Sequence, residues 1–245
     1  MSVSTGEDMT EHDTEFDDDF QTYLLVVAHP DDSEFGAGGT VARLTDLGKK
    51  VVVVQVTSGN KGSADRNADP AQVGATREAE LLEATRRVGV SEVVFLRCMD
   101  GELAPNLDLR ERIVRMIRTH RPDVIITHDG FRPYALHSDH RAVGLATTDA
   151  TYPTARDPLY FPEHLADGLE PHKTAELWFF GADQPDRFVD ITLTFGRKME
   201  ALRAHVSQVG EMDGLEERMR ERAIELAEGQ PFELAEAFKV VQMRR

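Results

Sequence analysis

The 245-residue sequence is long enough for one α/β domain with a full core, and its length does not demand a second domain. Its 44 acidic and 28 basic residues give a net charge of -16, which argues against nucleic acid or an anionic membrane as a partner. The single cysteine, Cys98, excludes an internal disulfide and a thiolate-rich zinc site, so any metal ligands must be His, Asp or Glu.

The N-terminal segment differs from the rest of the chain. Its first twenty residues carry eight acidic side chains and no Lys or Arg, which predicts a disordered, solvating tail over residues 1–20. A secretory signal begins with basic residues and continues with an apolar run, so this acidic start predicts a cytoplasmic protein. Residues 21–245 are predicted to form a single domain, because no repeat or linker divides them.

Short apolar runs predict the strands of a sheet. Continuous β-branched runs of this kind are typical of parallel strands that helices cover on both faces. None of them approaches the length of a membrane span. The predicted strands are residues 22–29, 51–57, 92–96 and 123–127, with weaker candidates at 176–180 and 187–191.

Between these strands, apolar residues recur at helical spacing. One predicted helix ends before Gly48 and another before Gly89, because a glycine directly after a periodic run stops a helix. A longer stripe near the end of the chain predicts one further helix and comprises Phe195, Met199, Leu202 and Val206. The alternation predicts an α/β fold: a Rossmann-like, doubly wound, mainly parallel sheet with helices on both faces.

Two irregular stretches interrupt this alternation. Residues 58–70 follow the second predicted strand and are rich in turn-forming residues. In a doubly wound sheet the loops that leave the carboxyl ends of the strands surround the ligand crevice, so this stretch is predicted to form a lid or a wall of the site. Residues 152–173 form a longer, proline-rich loop.

Two polar clusters follow strands that end at the same edge of the predicted sheet. The first is "HPDD", residues 29–32, and the second, in residues 128–144, contains His128, His137, Asp139 and His140. Any one of these histidines alone would more often be a surface or core residue. Together, the clusters favour a metal, whose charge would offset the repulsion between adjacent carboxylates. A catalytic zinc uses three protein ligands, and His29, Asp32 and His140 would supply such a set.

The glycines of "GAGG", residues 36–39, also invite comparison with a dinucleotide-binding loop. The required third glycine is missing, since Val41 stands at its position. The acidic residue that would bind the ribose is missing as well, because Gln55 and Thr57 end the second strand. We therefore interpret these glycines as a tight turn with close helix packing.

Several motifs occur in an order that resembles a known family. They are "AHPDD", "E-x-G-x-G-G-T", "R-E-A-E", "DGEL", "RPDVIITHD", "H-S-D-H-R-A-V-G" and "LRAHVSQ". Together they resemble the LmbE-like, or PIG-L, family of zinc-dependent N-deacetylases. The resemblance extends from about Tyr23 to Gln208, with a weaker echo in "FELAEAF" near the end. One departure is Ser138, where the family often has proline, and it affects no ligand position.

The resemblance implies a site on these motifs. It implies one zinc ion per chain, bound by His29, Asp32 and His140, and a general base at Asp31. The expected reaction is zinc-dependent removal of an acetyl group from a small N-acetylglucosaminyl-type substrate. Metal-dependent hydrolysis of an amide or ester in a non-sugar substrate remains an alternative, and so does a non-catalytic, Rossmann-like binding module.

Four further residues have roles implied by the resemblance. His137 matches the residue that stabilises the oxyanion or protonates the leaving amine, and Asp139 matches its orienting neighbour. Arg77 and Asp100 match positions that contact the substrate. Arg77 also lies on the inward stripe of its predicted helix, so it needs a partner, and Asp100 or a substrate hydroxyl would serve. A purely structural ion pair is an equally weighted interpretation of Arg77.

The expected partner is a small N-acetyl sugar, and a homo-oligomer is left open. Tyr152, Tyr160 and Phe161, in the proline-rich loop, could stack on a sugar face or pack against a neighbouring subunit.

Overall fold

The computed structural model describes residues 16–243 and contains one sheet of seven strands. The strands are β1 (Thr22–Val27), β2 (Lys50–Thr57), β3 (Glu92–Cys98), β4 (Val124–His128), β5 (Glu176–Phe180), β6 (Arg187–Asp190) and β7 (Ala235–Gln242). Their order across the sheet is β3-β2-β1-β4-β5-β7-β6. The first five strands are parallel, and β7 is antiparallel to both β5 and β6. The predicted α/β fold with a mainly parallel sheet is therefore confirmed.

All six predicted strands are present, and the structure adds a seventh, β7, that the apolar pattern does not predict. Its sequence, "AEAFKVVQ", places charged residues within the apolar run. Glu236 is nevertheless buried, because its side chain accepts hydrogen bonds from Lys198 and from the backbone N–H groups of Gly39 and Thr40. A buried charge of this kind hides the strand from a hydrophobicity pattern.

Helices flank the sheet and connect its strands. They are α1 (Asp32–Asp46), α2 (Pro70–Arg87), α3 (Leu107–His120), α4 (Ser138–Asp149), α5 (Glu163–Ala166), α6 (Phe195–Leu202), α7 (Val206–Val209) and α8 (Leu215–Leu226). The stripe predicted as one long helix is divided between α6 and α7, because His205 has a non-helical ψ of 58°. Within residues 16–243, no helix is both long and apolar enough to cross a membrane.

Alternate side chains of β1 enter the hydrophobic cores on the two faces of the sheet. Tyr23, Leu25 and Val27 join residues of α1, α2, α6 and α8 on one face. Leu24 and Val26 join residues of α3 and α4 on the other. Both faces are thus covered, which explains why the parallel strands are continuous apolar runs rather than alternating ones.

The predicted tail is too long at its C-terminal end. Phe16 and Phe20 are buried and belong to the core on the α1 face. The Phe16 ring stacks on Trp178 with a centroid distance of 6.1 Å and an interplanar angle of 8°. The part of the prediction that covers residues 16–20 is therefore wrong, since two aromatic rings anchor this acidic segment. Residues 1–15 lie outside the described residues.

The proline-rich loop lies at the amino-terminal edge of the sheet, away from both polar clusters. Its His172 contacts the carbonyl oxygen of Pro122, just before β4, at 2.8 Å. Arg118, late in α3, donates to the carbonyl oxygens of Ala155 and Tyr160. The loop's aromatic residues therefore lie at the wrong end of the sheet to stack on a substrate at the predicted site.

We expect Phe16→Ala to destabilise the protein by about 3 kcal/mol, because it removes a buried aromatic side chain. For a domain of this size, that corresponds to a loss of roughly 6–12 °C in Tm. Thermal unfolding monitored by circular dichroism measures the shift. Leu193→Ala is the control, since Leu193 is 95% exposed and should be nearly neutral. An unchanged Tm in Phe16→Ala would contradict the anchoring of this segment.

Candidate active site

The turn between β1 and α1 sets two adjacent carboxylates at the carboxyl edge of the sheet. Asp31 has φ 118° and ψ -25°, in the left-handed half of φ space that residues with a side chain rarely adopt. The backbone N–H of His29 donates to Oδ2 of Asp32 at 2.7 Å. The N–H of Phe35 donates to the carbonyl oxygen of Asp31 at 3.0 Å. The turn therefore holds a strained residue directly before the helix, where such strain is typical of functional sites.

His29, Asp32 and His140 converge on one point. Nδ1 of His29 lies 3.2 Å from Nε2 of His140. The carboxylate of Asp32 places Oδ1 3.2 Å from Nε2 of His140 and Oδ2 3.4 Å from Nδ1 of His29. Tetrahedral ligands with metal bonds of about 2.0–2.1 Å are separated by roughly 3.3 Å. The contacts among these three residues are close to that separation. His140 also belongs to two sets of possible metal ligands, one with His29 and His137 and one with Asp32 and His128.

Two carboxylates contact Nε2 of His29, the ring nitrogen that faces away from His140. Its Nε2 lies 3.1 Å from Oδ1 of Asp100 and 3.3 Å from Oδ2 of Asp139. Backbone N–H groups hold both acids, because Lys61 donates to Asp100 and Gly101 donates to Asp139. Carboxylates in this position fix the orientation of a metal-binding imidazole. The structure thus places Asp100 against His29, although the sequence analysis expected it to contact the substrate.

The carboxylates around His29 also change its protonation. Burial opposes the charged ring, but the hydrogen bond to Asp32 and the charges of Asp32, Asp100 and Asp139 raise the pKa of His29 to about 9. The pKa of Asp32 shifts in the opposite direction. Burial favours its neutral form, yet His128, His140 and His29 hold the pKa of Asp32 well below its usual range. Three imidazoles therefore stabilise the ionised form of Asp32.

Asp31 has a different partner, Arg77. This arginine is only 4% exposed, and its Nη2 donates to the carbonyl oxygen of Pro30 at 2.7 Å and to Oδ2 of Asp31 at 3.2 Å. Its Nη1 donates to the carbonyl oxygen of Gly59, where a Cβ would lie 2.3 Å from that nitrogen. Buried among these partners, Arg77 pairs with Asp31 rather than with Asp100, one of the two partners predicted from the sequence.

The environment of Asp31 raises its pKa to about 7. Burial is the largest cause, and the neighbouring charge of Asp32 adds to it, while Arg77 acts in the opposite direction. A carboxylate with a pKa near neutrality can accept a proton at physiological pH and release it again. The two adjacent acids are therefore chemically distinct, since Asp32 is ionised throughout the neutral range.

His137 lies over the cluster at the start of α4. Its ring centroid is 4.6 Å from that of His29 and 4.5 Å from that of His140. Its Nδ1 accepts a hydrogen bond from the N–H of Asp139 at 3.3 Å, so the neutral ring carries its proton on Nε2. Burial, with the positive charges of His29 and His140, lowers the pKa of His137. The residue is thus a neutral donor at the exposed side of the site.

Two buried histidines, His128 and His205, have acidic partners that the sequence did not predict. His128, the last residue of β4, lies 3.3 Å from Oδ2 of Asp32, and its Nε2 also accepts the N–H of Ala28. Its place at a strand end could have identified it. His205 lies 3.1 Å from Glu34, and both are buried. They are 171 positions apart, so no local pattern pairs them.

The chain is similar to proteins of known activity. The PIG-L family model, described as GlcNAc-PI de-N-acetylase, matches residues 24–151. Diacetylchitobiose deacetylase from Thermococcus kodakarensis is 33% identical over 193 residues, which cover 79% of this chain and 72% of that protein. The 1D-myo-inositol 2-acetamido-2-deoxy-alpha-D-glucopyranoside deacetylase of Mycobacteroides abscessus is 30% identical over 228 residues, with coverage of 76% and 81%.

Solved structures show the same likeness. N,N'-diacetylchitobiose deacetylase from Pyrococcus horikoshii has a TM-score of 0.85 and 27% identity, covering 91% of this chain and 85% of that one. The 4-carboxy-2-hydroxymuconate hydratase from Pseudomonas putida has a TM-score of 0.76 and 22% identity, with coverage of 92% and 98%. The second likeness concerns the fold alone. A fold shared with a hydratase does not select the reaction, which must be argued from the site.

We expect Zn²⁺ binding to the metal-free protein at pH 8 to release protons, one of them from His29 and the others from water on the metal. At that pH His29, with a pKa of about 9, is still cationic, whereas Asp31, with a pKa of about 7, is already ionised. Because only the neutral ring can bind a metal, affinity should rise as the pH approaches 9. Calorimetry in two buffers of different ionisation enthalpy counts the protons released.

Two variants test the electrostatic origin of this effect. Asp100→Asn removes a charge that raises the pKa of His29, so fewer protons should be released at pH 8. Asp108→Asn removes an exposed carboxylate that pairs with Arg112 on α3 and should release as many protons as the unmodified protein. Equal proton release by Asp100→Asn would contradict this account of the His29 pKa.

Proposed function

The chain belongs to the PIG-L family, and on that premise we propose that it is a zinc-dependent N-deacetylase of small N-acetylglucosaminyl compounds. The observation that carries the proposal is the convergence of His29, Asp32 and His140, with the Asp31 carboxylate beside them. A zinc ion held by these three residues would polarise the amide carbonyl and make a water molecule more acidic.

Asp31 is the proposed general base. Its carboxylate lies directly beside the predicted metal ligand Asp32, and its contact with Arg77 fixes one carboxylate oxygen. The other oxygen is left to accept the proton of the attacking water. Arg77 is thus a positioning residue for Asp31, with no contact to the substrate in this proposal.

His137 is the proposed donor to the oxyanion. Its Nδ1 is occupied by the N–H of Asp139, so Nε2 presents the proton. The neutral ring can donate a hydrogen bond to the oxygen that becomes negative, and it can pass a proton to the departing amine. Asp139 orients two histidines of the site. Its backbone N–H donates to Nδ1 of His137, and its carboxylate contacts Nε2 of His29.

The proposed substrate class follows from the relatives and from the polar side of the site. The relatives named above are deacetylases of diacetylchitobiose and of an N-acetylglucosaminyl inositol. On the β2–β3 side of the metal ligands, Asn60, Lys61 and Asp100 form a hydrogen-bonded group that includes the start of the loop at residues 58–70. Such groups can bind sugar hydroxyls directionally.

The rival functions require other features. A binding module without catalysis needs neither a strained Asp31 with a pKa near 7 nor an oriented His137. A hydrolase of non-sugar amides or esters would use the same metal centre. Only an assay of its substrates distinguishes such an enzyme from the proposed deacetylase.

The test of the proposed function is acetate release from a panel of soluble N-acetylhexosamine compounds by the zinc-loaded protein. The panel includes N-acetylglucosamine, diacetylchitobiose and an N-acetylglucosaminyl inositol, with simple N-acetyl amines and acetate esters for comparison. We expect turnover of at least one sugar and about one zinc per chain by elemental analysis. Turnover of the simple amides or esters alone would overturn the sugar assignment, and full activity in metal-free protein would overturn the mechanism.

Two substitutions separate metal binding from proton transfer. Asp31→Asn should retain zinc but lose about a hundredfold or more in kcat, because the amide cannot act as the base. His140→Ala should lose both zinc and activity, because it removes a metal ligand. Zinc content and kcat are measured on the same preparations, with Asp108→Asn as the control. Normal turnover by Asp31→Asn would show that another group is the base.

A further inference from the structure

A cavity of about 210 Å³ adjoins the metal ligands on the side of the site opposite Asn60 and Lys61. It lies at the carboxyl edge of the sheet, over β4, β5 and the start of β7, with α8 as its outer wall. Its inner wall includes Asp32, His128 and His140. Its apolar walls are formed mainly by Phe35, Phe180, Met219, Ala223, Leu226 and Ala235.

The Phe180 ring in the cavity wall packs directly on Gly36. Gly36 lies where a Cβ would be only 2.6 Å from the Phe180 ring, so any larger residue would displace the ring. The charged residues around the cavity do not define a site for a charged ligand. Lys198 pairs with Glu236 at 2.6 Å within the wall, and Arg222 is exposed to solvent. Arg132 donates to the carbonyl oxygen of Gly181, and Asp129 accepts the N–H of Phe131. The cavity therefore combines a polar end at Asp32, His128 and His140 with apolar walls formed by Phe35, Phe180 and residues of α8.

The volume exceeds what an acetyl group needs. A buried apolar cavity of about 150 Å³ is sufficient to bind benzene. An acetyl group presents a single methyl beyond the carbonyl carbon, which would leave most of the space beside His140 and Phe180 empty.

The two sides of the metal centre match the two substituents of an amide. On one side, the turns after β2 and β3 are polar, and Asn60, Lys61 and Asp100 are hydrogen-bonded to one another there. On the other side, Phe35, Phe180 and the residues of α8 offer an apolar surface. With the amide carbonyl at the metal ligands, the sugar lies on the polar side and the acyl chain enters the cavity.

We propose that this cavity is an acyl-binding site, and that the enzyme removes unbranched N-acyl groups longer than acetyl, such as butyryl. The proposal rests on the proposed deacetylase function. The reaction is hydrolysis: the C–N bond breaks, the hydroxyl of water joins the acyl carbon, and protons reach the amine. The products are a free amino sugar and a short-chain carboxylate, so no further reactant is needed.

The test compares kcat/KM for N-butyrylglucosamine and N-acetylglucosamine with the zinc-loaded enzyme, or for the same acyl pair on whichever sugar it accepts. Two additional methylene groups that enter the cavity can raise kcat/KM by up to about tenfold. We expect the butyryl-to-acetyl ratio to be at least about one. A lower ratio with measurable acetyl hydrolysis overturns this inference alone, whereas no acyl hydrolysis from any sugar overturns the proposed function.

Substitutions at Met219 test whether the acyl chain binds in the cavity. Met219 is half-buried in the cavity wall, so Met219→Trp should fill the space and lower the butyryl-to-acetyl ratio about tenfold. Met212→Trp is the matched control, because Met212 is 46% exposed and does not line the cavity. Met219→Ala enlarges the cavity and should improve hydrolysis of N-hexanoylglucosamine relative to the acetyl compound, a gain that misfolding cannot cause. An unchanged ratio in both Met219 variants would overturn the assignment.

Discussion

The adjacent carboxylates at the end of β1 are the constraint on which the rest of the site depends. Side by side, Asp31 and Asp32 repel each other, and both are held in a largely buried turn. The structure separates them electrostatically: imidazoles surround Asp32 and keep it ionised, while burial next to that charge raises the pKa of Asp31 to about 7. Two identical side chains thereby become suited to different tasks, metal binding and proton transfer.

This division requires a buried polar network behind the site. Asp100 and Asp139 orient His29, and Arg77 orients Asp31. Buried ionic groups contribute little net stability, because desolvation offsets their attraction. Their value here is geometric, since each polar partner restricts the rotamer of a residue in contact with the reacting groups.

The sheet order explains why the network can form. His29 and His140 are 111 positions apart in the chain, yet their ring nitrogens are 3.2 Å apart. They meet because β1 and β4 are neighbours, and the connections after these strands run to opposite faces of the sheet. A doubly wound sheet opens a crevice at this point. The fold alone does not select a reaction, because a hydratase of 22% identity shares it.

The sequence by itself determined the strands β1 to β6, the ends of α1 and α2, and the place of His29, Asp32 and His140 at one edge of the sheet. Those features depend on local apolar patterns, helix stops and motifs at strand ends. Only the tertiary structure decided the partners of Arg77 and Asp100, the burial of Phe16 and Phe20, and the place of the proline-rich loop. It also revealed β7, whose Glu236 is buried because Lys198 pairs with it. These features depend on contacts between residues far apart in the chain, and such contacts exist only once the order of the strands is set.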